Sequence, residues 1–98
     1  MKKITKTAKI RLEKGEHPLA VLREELTDYS QRQLGAELKL GRSYVYQVER
    51  GINDGSIELY TRIALLLNIP LHFFFMGTYW EKKYPDPLIL TRKQRAQS

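Results

Sequence analysis

The sequence predicts an all-α domain of five short helices. Apolar residues recur at helical spacing in separate segments, capping residues precede several of these segments, and glycine or proline follows them. A chain of 98 residues is long enough for one domain with one modest core. We expect this domain over residues 17–77, a flexible basic N-terminal arm over residues 1–16, and a partly disordered C-terminal extension over residues 78–98.

The first predicted helix covers residues 18–26. Pro18 suits the first position of a helix, because an N–H group at that position has no intrahelical partner in any case. Leu19, Leu22 and Leu26 follow at helical spacing and indicate the buried face.

The second predicted helix covers residues 31–38 and has a well-marked start. Ser30 can cap it, and Gln33 stands three residues later, as a capping box requires. Leu34 and Leu38 are the expected inward residues of this helix.

The third predicted helix follows a short link, Lys39–Gly41, and covers residues 42–50. Gly51 is a natural left-handed cap at its end. Val45 and Val48 are expected to point inward, which leaves the other faces of the helix free. Those faces carry side chains that suit base edges and phosphates, namely Arg42, Ser43, Tyr46 and Gln47.

The fourth predicted helix covers residues 57–67 after a Ser56 cap, and a short fifth helix covers residues 71–76 beyond Pro70. Together with the segment up to Trp80, these helices contain more apolar and aromatic residues than one buried face requires. Apolar residues that stay exposed because the core does not cover them are typical of a surface that binds a partner.

The net charge of +6 is concentrated at the two ends of the chain. Residues 1–14 carry +5 and residues 81–98 carry +3, whereas residues 15–80 carry −2. A basic balance favours an anionic partner such as nucleic acid. The lysine-rich arm can enter a minor groove, remain a solvated tail, or form a short strand or helix at a subunit contact.

The composition argues against several classes of site. The chain has no cysteine, its two histidines lie far apart in sequence, and no nucleophile–base pair or glycine-rich phosphate loop is recognisable. We therefore expect no enzyme activity, no metal and no cofactor. The uninterrupted apolar runs, such as Phe73–Met76, are too short to span a bilayer, and no secretory signal is visible. We expect a cytoplasmic protein without a membrane partner.

The second and third predicted helices suit insertion into double-stranded DNA. A helix reaches base edges through the major groove, because the minor groove is too narrow for it. Two helices joined by a short turn can place one across the backbone and the other in the groove. Apolar residues are available to lock such a pair together, namely Leu34, Leu38, Leu40, Val45 and Val48.

The same segment resembles the Cro and phage-repressor type of helix-turn-helix domain, the XRE class. The resemblance is carried by SQRQLGAELKLGRSYVYQVERG and GSIELYTRIALLLNIPLHFFF and covers about residues 18–76. Family members have a serine–glutamine pair, a leucine, a glutamate–arginine–glycine, an isoleucine–alanine pair and a later leucine. These are here Ser30–Gln31, Leu34, Glu49–Arg50–Gly51, Ile63–Ala64 and Leu67. The resemblance implies a lambda-repressor-like fold.

The resemblance also implies which residues contact DNA. Gln31, at the start of the second helix, would reach a phosphate with its backbone N–H or its side chain. Arg42 and Ser43 would meet bases or the backbone, while Tyr46 and Gln47 would face the groove floor. Gln47 can pair bidentately with adenine and Arg42 with guanine.

Four further residues near this face have implied roles. Tyr44 and Arg50 would hold the DNA backbone, and Arg32 is either another DNA contact or ordinary solvated surface. Glu49 would be structural and would fix the third helix to its neighbours.

The turn between these helices departs from the family pattern. The family usually has glycine where Lys39 stands, and a left-handed lysine costs about 1 kcal/mol. Gly41, two residues later, can relieve this cost by shifting the turn. Gly35 stands where the family often has alanine, and its missing side chain allows another helix to approach closely.

We expect a homodimer that acts as a sequence-specific transcriptional repressor on a palindromic operator. The alternative is an antitoxin that binds a toxin and also represses its own operon. One short helix discriminates between sequences weakly, and two copies related by a two-fold axis supply the specificity that is missing. The expected dimer interface lies on the last two helices and the aromatic segment, and includes Leu59, Leu66, Phe73, Met76 and Trp80.

Overall fold

The structure is a computed structural model that describes residues 1–85 of the chain. These residues form six α-helices and one 3-10 helix, and no strand occurs among them. The elements in chain order are α1 (Lys6–Glu13), α2 (Pro18–Leu26), α3 (Gln31–Leu38), α4 (Arg42–Glu49), α5 (Ile57–Leu67), the 3-10 helix (Leu71–Phe75) and α6 (Tyr79–Lys83).

The all-α, lambda-repressor-like class predicted from the sequence is confirmed. The first four predicted helices are α2, α3, α4 and α5, and three of them have the expected bounds. The third predicted helix, α4, ends one residue early because Arg50 is its C-cap. The fifth predicted helix is a 3-10 helix that ends at Phe75.

Local capping explains why α3 and α5 begin where they do. The Ser30 hydroxyl accepts a hydrogen bond from the Gln33 N–H at 3.0 Å, and the Gln33 side chain accepts one from the Ser30 N–H at 2.9 Å. This is the capping box that the sequence predicts. The Ser56 hydroxyl caps α5 by accepting a hydrogen bond from the Leu59 N–H at 3.1 Å.

The turn between α3 and α4 contains two residues with positive φ. Lys39 has φ 59° and Gly41 has φ 83°, so the left-handed lysine and the glycine both contribute to the turn. The Gly35 carbonyl accepts hydrogen bonds from the N–H groups of Leu40 and Gly41 at 3.0 and 3.1 Å. A Cβ on Gly35 would lie 2.4 Å from the Gly41 backbone. The Arg42 backbone N, at the start of α4, would lie 2.8 Å from the same Cβ. The missing side chain at Gly35 therefore lets the turn and the start of α4 approach α3 closely, as expected.

The N-terminal segment is not the flexible arm expected from its composition. Thr5 caps α1 by accepting a hydrogen bond from the Ala8 N–H at 3.1 Å, and Ala8 and Leu12 are buried in the core. These two residues are four positions apart, so they share one helix face and can be buried together. Of the alternatives left open for this segment, the short helix is the one observed, and it packs on the core of its own chain.

The segment after the 3-10 helix is also more ordered than expected. Thr78 donates from its backbone N–H to the Leu12 carbonyl at 3.2 Å and from its hydroxyl to the Glu13 carbonyl at 3.1 Å. These bonds join the start of α6 to the end of α1, and we call α1 and α6 together the accessory pair. The expected disorder of residues 86–98 lies outside the described residues.

Candidate nucleic-acid interface

The outer face of α4 is polar, exposed and continuous. Arg42 and Ser43 lie at its start, and Tyr46, Gln47 and Arg50 follow along the same side. All five are exposed. On the opposite side, Val45 and Val48 are 1% and 0% exposed and belong to the core. The helix is thus anchored by its underside and presents its predicted DNA-reading side chains to solvent.

A buried ion pair fixes α4 to α2. The Arg23 guanidinium donates to both carboxylate oxygens of Glu49, at 2.7 and 3.1 Å, in a bidentate arrangement. The side chain of Glu49 is only 5% exposed and that of Arg23 is 11% exposed. Arg23 also donates to the Tyr29 carbonyl at 3.1 Å, which ties down the loop before α3. The structural role expected for Glu49 is confirmed.

Gln31 joins this network from the start of α3. Its side-chain amide donates to Glu49 at 2.9 Å, so one carboxylate holds α2, α3 and α4 together. One N–H of this amide is used in the bond to Glu49, and the Gln31 backbone N–H is a further donor for a phosphate. It lies in the first turn of α3, where backbone N–H groups have no intrahelical partner.

The starts of α3 and α4 lie side by side. One shallow depression is lined by Ser30, Gln31 and Arg32 from the start of α3, by Arg42 from the start of α4, and by Arg23. Arginine side chains and helix N-termini both attract anions. The depression is therefore a place where a phosphate group can be held.

The two tyrosines of α4 have different surroundings. Tyr46 is 46% exposed, and the Arg50 guanidinium carbon lies 6.0 Å from the centre of its ring, at the outer limit of a cation–π contact. Tyr44 is half-buried and packs against the core. Of the two, Tyr46 is the side chain that reaches outward from the helix.

The residues expected at a dimer interface are only partly accessible. Leu59 and Phe73 are 6% and 8% exposed and belong to the chain's own core, so they are not available to a partner in this fold. Leu66, Met76 and Trp80 are half-buried against that core. The expected interface role of Leu59 and Phe73 does not fit this burial, because both side chains belong to the core cluster of the same chain.

Several residues of this site were not found from the sequence. Arg23 begins the charged run Arg23–Glu25 near the end of α2, and no local pattern marks it as the partner of Glu49, which lies 26 positions away. Asp54 and Lys83, which pair with each other beside the end of α4, are 29 positions apart and also have no sequence signal.

Within the described residues 1–85, no group of His, Cys, Asp or Glu side chains is arranged to hold a metal ion. None of the helices in that part of the chain is long and apolar enough to cross a membrane.

This arrangement defines a DNA-binding protein of the helix-turn-helix class, in which α3 and α4 are the two helices of the motif. A family model described as Helix-turn-helix matches residues 19–74, which is more than half of the chain. The chain therefore belongs to this family, the XRE class of DNA-binding transcription regulators, and the predicted resemblance is confirmed. No curated protein and no solved structure matches the chain significantly. Both helices of the accessory pair lie outside the matched residues.

Proposed function

We propose that the protein is a cytoplasmic, homodimeric transcriptional repressor that binds a palindromic operator with α4 in the major groove. The observation that carries this proposal is the exposed polar face of α4, held in place by a buried ion pair between Arg23 and Glu49. A rigid helix with free polar side chains can read base edges without reorganising, which lowers the cost of binding.

The proposed contacts fall into two groups. Gln47 and Arg42 read bases, since an amide suits adenine and a guanidinium suits guanine. Arg32, Arg50 and the backbone N–H of Gln31 hold phosphates. Gly41, the N-cap of α4, makes no side-chain capping bond, so the first N–H groups of α4 are also open to an anion.

Gln47→Ala tests base reading directly. We expect it to cost about 1–3 kcal/mol of binding at one operator position and to relax specificity there, because a bidentate contact to one base is lost. The measurement is fluorescence anisotropy with a duplex enriched by the wild-type protein from a random-sequence library, and with single-base variants of that duplex.

Arg32→Ala is the matched comparison for this experiment. Loss of a phosphate contact weakens binding to all sequences about evenly and reduces the salt slope by about one unit. If Gln47→Ala also weakened every duplex evenly, base reading by Gln47 would be wrong. If the wild-type protein enriched no sequence at all, the whole proposal would fail.

Repression requires that the bound operator overlap a promoter. DNase footprinting of the purified protein on the DNA upstream of its own gene would show a symmetric protected region across the promoter, and a reporter from that promoter would lose expression. Increased reporter expression would identify an activator in place of a repressor.

We propose a dimer because a single α4 helix gives less sequence specificity than recognition of an operator requires. A good base contact contributes about 1–3 kcal/mol, whereas useful specificity is about 4–10 kcal/mol. Two copies of α4 on adjacent half-sites supply the difference. The exposed side of α5 offers a surface for this contact, because Ile57 and Leu65 are 63% and 76% exposed and Thr61 lies between them.

Leu65→Glu tests that surface. We expect it to convert the dimer into a monomer at micromolar concentration, because a charge would be buried at the centre of an apolar contact. The measurement is sedimentation equilibrium. The control is Ile10→Glu, which places the same charge on the exposed side of α1. A wild-type protein that is already monomeric would contradict the dimer. A monomer that co-purifies with a different small protein would support the antitoxin alternative.

A further inference from the structure

The accessory helix α6 contacts the loop that follows α4. The Lys83 ammonium donates to the Gly51 carbonyl at 2.7 Å and also to the carboxylate of Asp54. The Tyr84 hydroxyl donates to the same carboxylate. These bonds cross 29 or more positions of sequence, so they bring the end of the described chain onto the end of α4.

The contact is close as well as polar. Gly51, the residue directly after the C-cap of α4, has φ 75°, and a Cβ on it would lie 2.6 Å from the Tyr79 hydroxyl. Tyr79 is the first residue of α6. The start of α6 therefore covers the point where α4 ends, and Lys83 at the end of α6 bonds the same residue.

The contacted loop is bonded directly to a predicted base-reading residue. The Gln47 carbonyl accepts hydrogen bonds from the N–H groups of Ile52 and Asn53, at 2.9 and 3.2 Å. The loop is held on its other side by the Tyr60 hydroxyl, which donates to the Asp54 carbonyl at 3.0 Å. Hydrogen bonds thus connect this loop to the backbone of Gln47 within α4.

We propose that Lys83 is a positioning residue for DNA recognition, which acts through the Gly51–Asp54 loop on the angle at which Gln47 enters the groove. The inference rests on the proposed DNA-binding function. It gives a role in that function to α6, which lies outside the residues 19–74 that the family model matches. Lys83 also places a positive charge at the C-terminal end of α4, where the helix dipole is negative, so the contact stabilises the end of the helix.

Lys82 provides a matched comparison on the same helix. It carries the same charge one position away, but it is exposed and its ammonium lies 3.4 Å from the carbonyl of Lys14, on the α1 side. Lys83→Met and Lys82→Met therefore remove equal charge from α6, and only the first removes a bond to the loop.

The test measures sequence discrimination and not affinity alone. For each variant, anisotropy gives the ratio of affinities for the wild-type-enriched duplex and for a duplex altered at the base pair that Gln47 reads. We expect Lys83→Met to lower this ratio about fivefold, in the range of couplings carried by contact networks, whereas Lys82→Met leaves it unchanged. Lys83→Arg should restore most of the ratio. In the Gln47→Ala background, Lys83→Met should have no further effect at that base pair.

A second readout is independent of DNA. Amide hydrogen exchange at Ile52 and Asn53 should become faster in Lys83→Met than in Lys82→Met, because the loop loses its bond to α6. Equal exchange and an equal ratio in the two variants would overturn the inference while leaving DNA recognition intact. An absence of any sequence preference in the wild-type protein would instead overturn the proposed function, and the inference with it.

Discussion

Glu49→Ala is expected to lower the free energy of unfolding by about 3–5 kcal/mol, because it leaves the Arg23 guanidinium buried without its carboxylate. Arg23 is 11% exposed in its side chain and would retain its bond to the Tyr29 carbonyl together with a longer contact to Glu24 at 3.5 Å. The loss is large beside the total stability of about 5–15 kcal/mol that is usual for a small domain. The measurement is urea unfolding followed by far-ultraviolet circular dichroism.

The control for this prediction is Glu37→Ala. Glu37 lies on α3 and is exposed, so removal of its carboxylate should change stability by less than about 0.5 kcal/mol. Arg23→Met combined with Glu49→Leu should recover most of the lost stability, since an apolar pair of similar size needs no charge partner. A loss of less than about 1 kcal/mol in Glu49→Ala would contradict a structural role for the ion pair.

The same substitution bears on DNA binding. In Glu49→Ala, the Gln31 side chain loses its acceptor, and the relative placement of α3 and α4 is no longer fixed by a shared carboxylate. We expect weaker operator binding even under conditions in which the variant remains folded.

Acidification is expected to destabilise the protein through His17, which is only 5% exposed. Its Nδ1 accepts a hydrogen bond from the Leu19 N–H at 3.0 Å and caps α2, while its Nε2 is buried with no hydrogen-bond partner in the described part of the chain. The ring lies against Tyr79 and Trp80, with centroid distances of 4.5 and 5.7 Å. A protonated imidazole is disfavoured in such surroundings.

Burial, with a smaller contribution from the positive charge of Lys83, lowers the pKa of His17 from 6.5 to about 4. Because the folded pKa is the lower one, the unfolded chain binds the proton more tightly. The stability contributed by neutral His17 is therefore complete above about pH 6.5 and is lost as the pH falls toward about 4. We expect about 2 kcal/mol to be lost between about pH 7 and about pH 5.

Two variants isolate this effect. His17→Asn keeps a side-chain oxygen for the α2 cap but does not titrate, so its stability should change little over the same pH interval. His72→Asn removes an exposed histidine and should keep the wild-type pH dependence. Urea unfolding at each pH gives the comparison. An equal pH dependence in His17→Asn and the wild-type protein would contradict the assignment to His17.

The sequence predicted the structure best where a structural feature depends on residues close together in the chain. Ser30, Gln33 and Ser56 act within three residues of the helix starts that they cap, so the beginnings of α3 and α5 were predictable. The alternation of Val45 and Val48 with exposed polar residues likewise indicated which side of α4 faces solvent. Helical periodicity depends only on neighbouring residues, and these assignments needed no knowledge of the rest of the fold.

The sequence predicted the structure least well where burial depends on contacts between segments that are distant in the chain. The lysine-rich residues 1–14 have the charge of a solvated tail, yet Ala8 and Leu12 are buried against other elements and α1 is part of the fold. Leu59 and Phe73 have the composition of a partner surface, yet the chain covers them itself. Burial is decided by which elements pack together, and one short segment does not contain that information.

The amino-acid sequence alone determined the helix-turn-helix class, the bounds of α2, α3 and α5, and the candidate DNA-reading side chains of α4. Only the tertiary structure decided that Glu49 joins α2, α3 and α4, that Thr78 at the start of α6 bonds the end of α1, and that Lys83 bonds the loop after α4. The physical reason is that capping and amphipathic periodicity act over a few residues, whereas buried ion pairs and capping lysines join groups that only folding brings within hydrogen-bond distance.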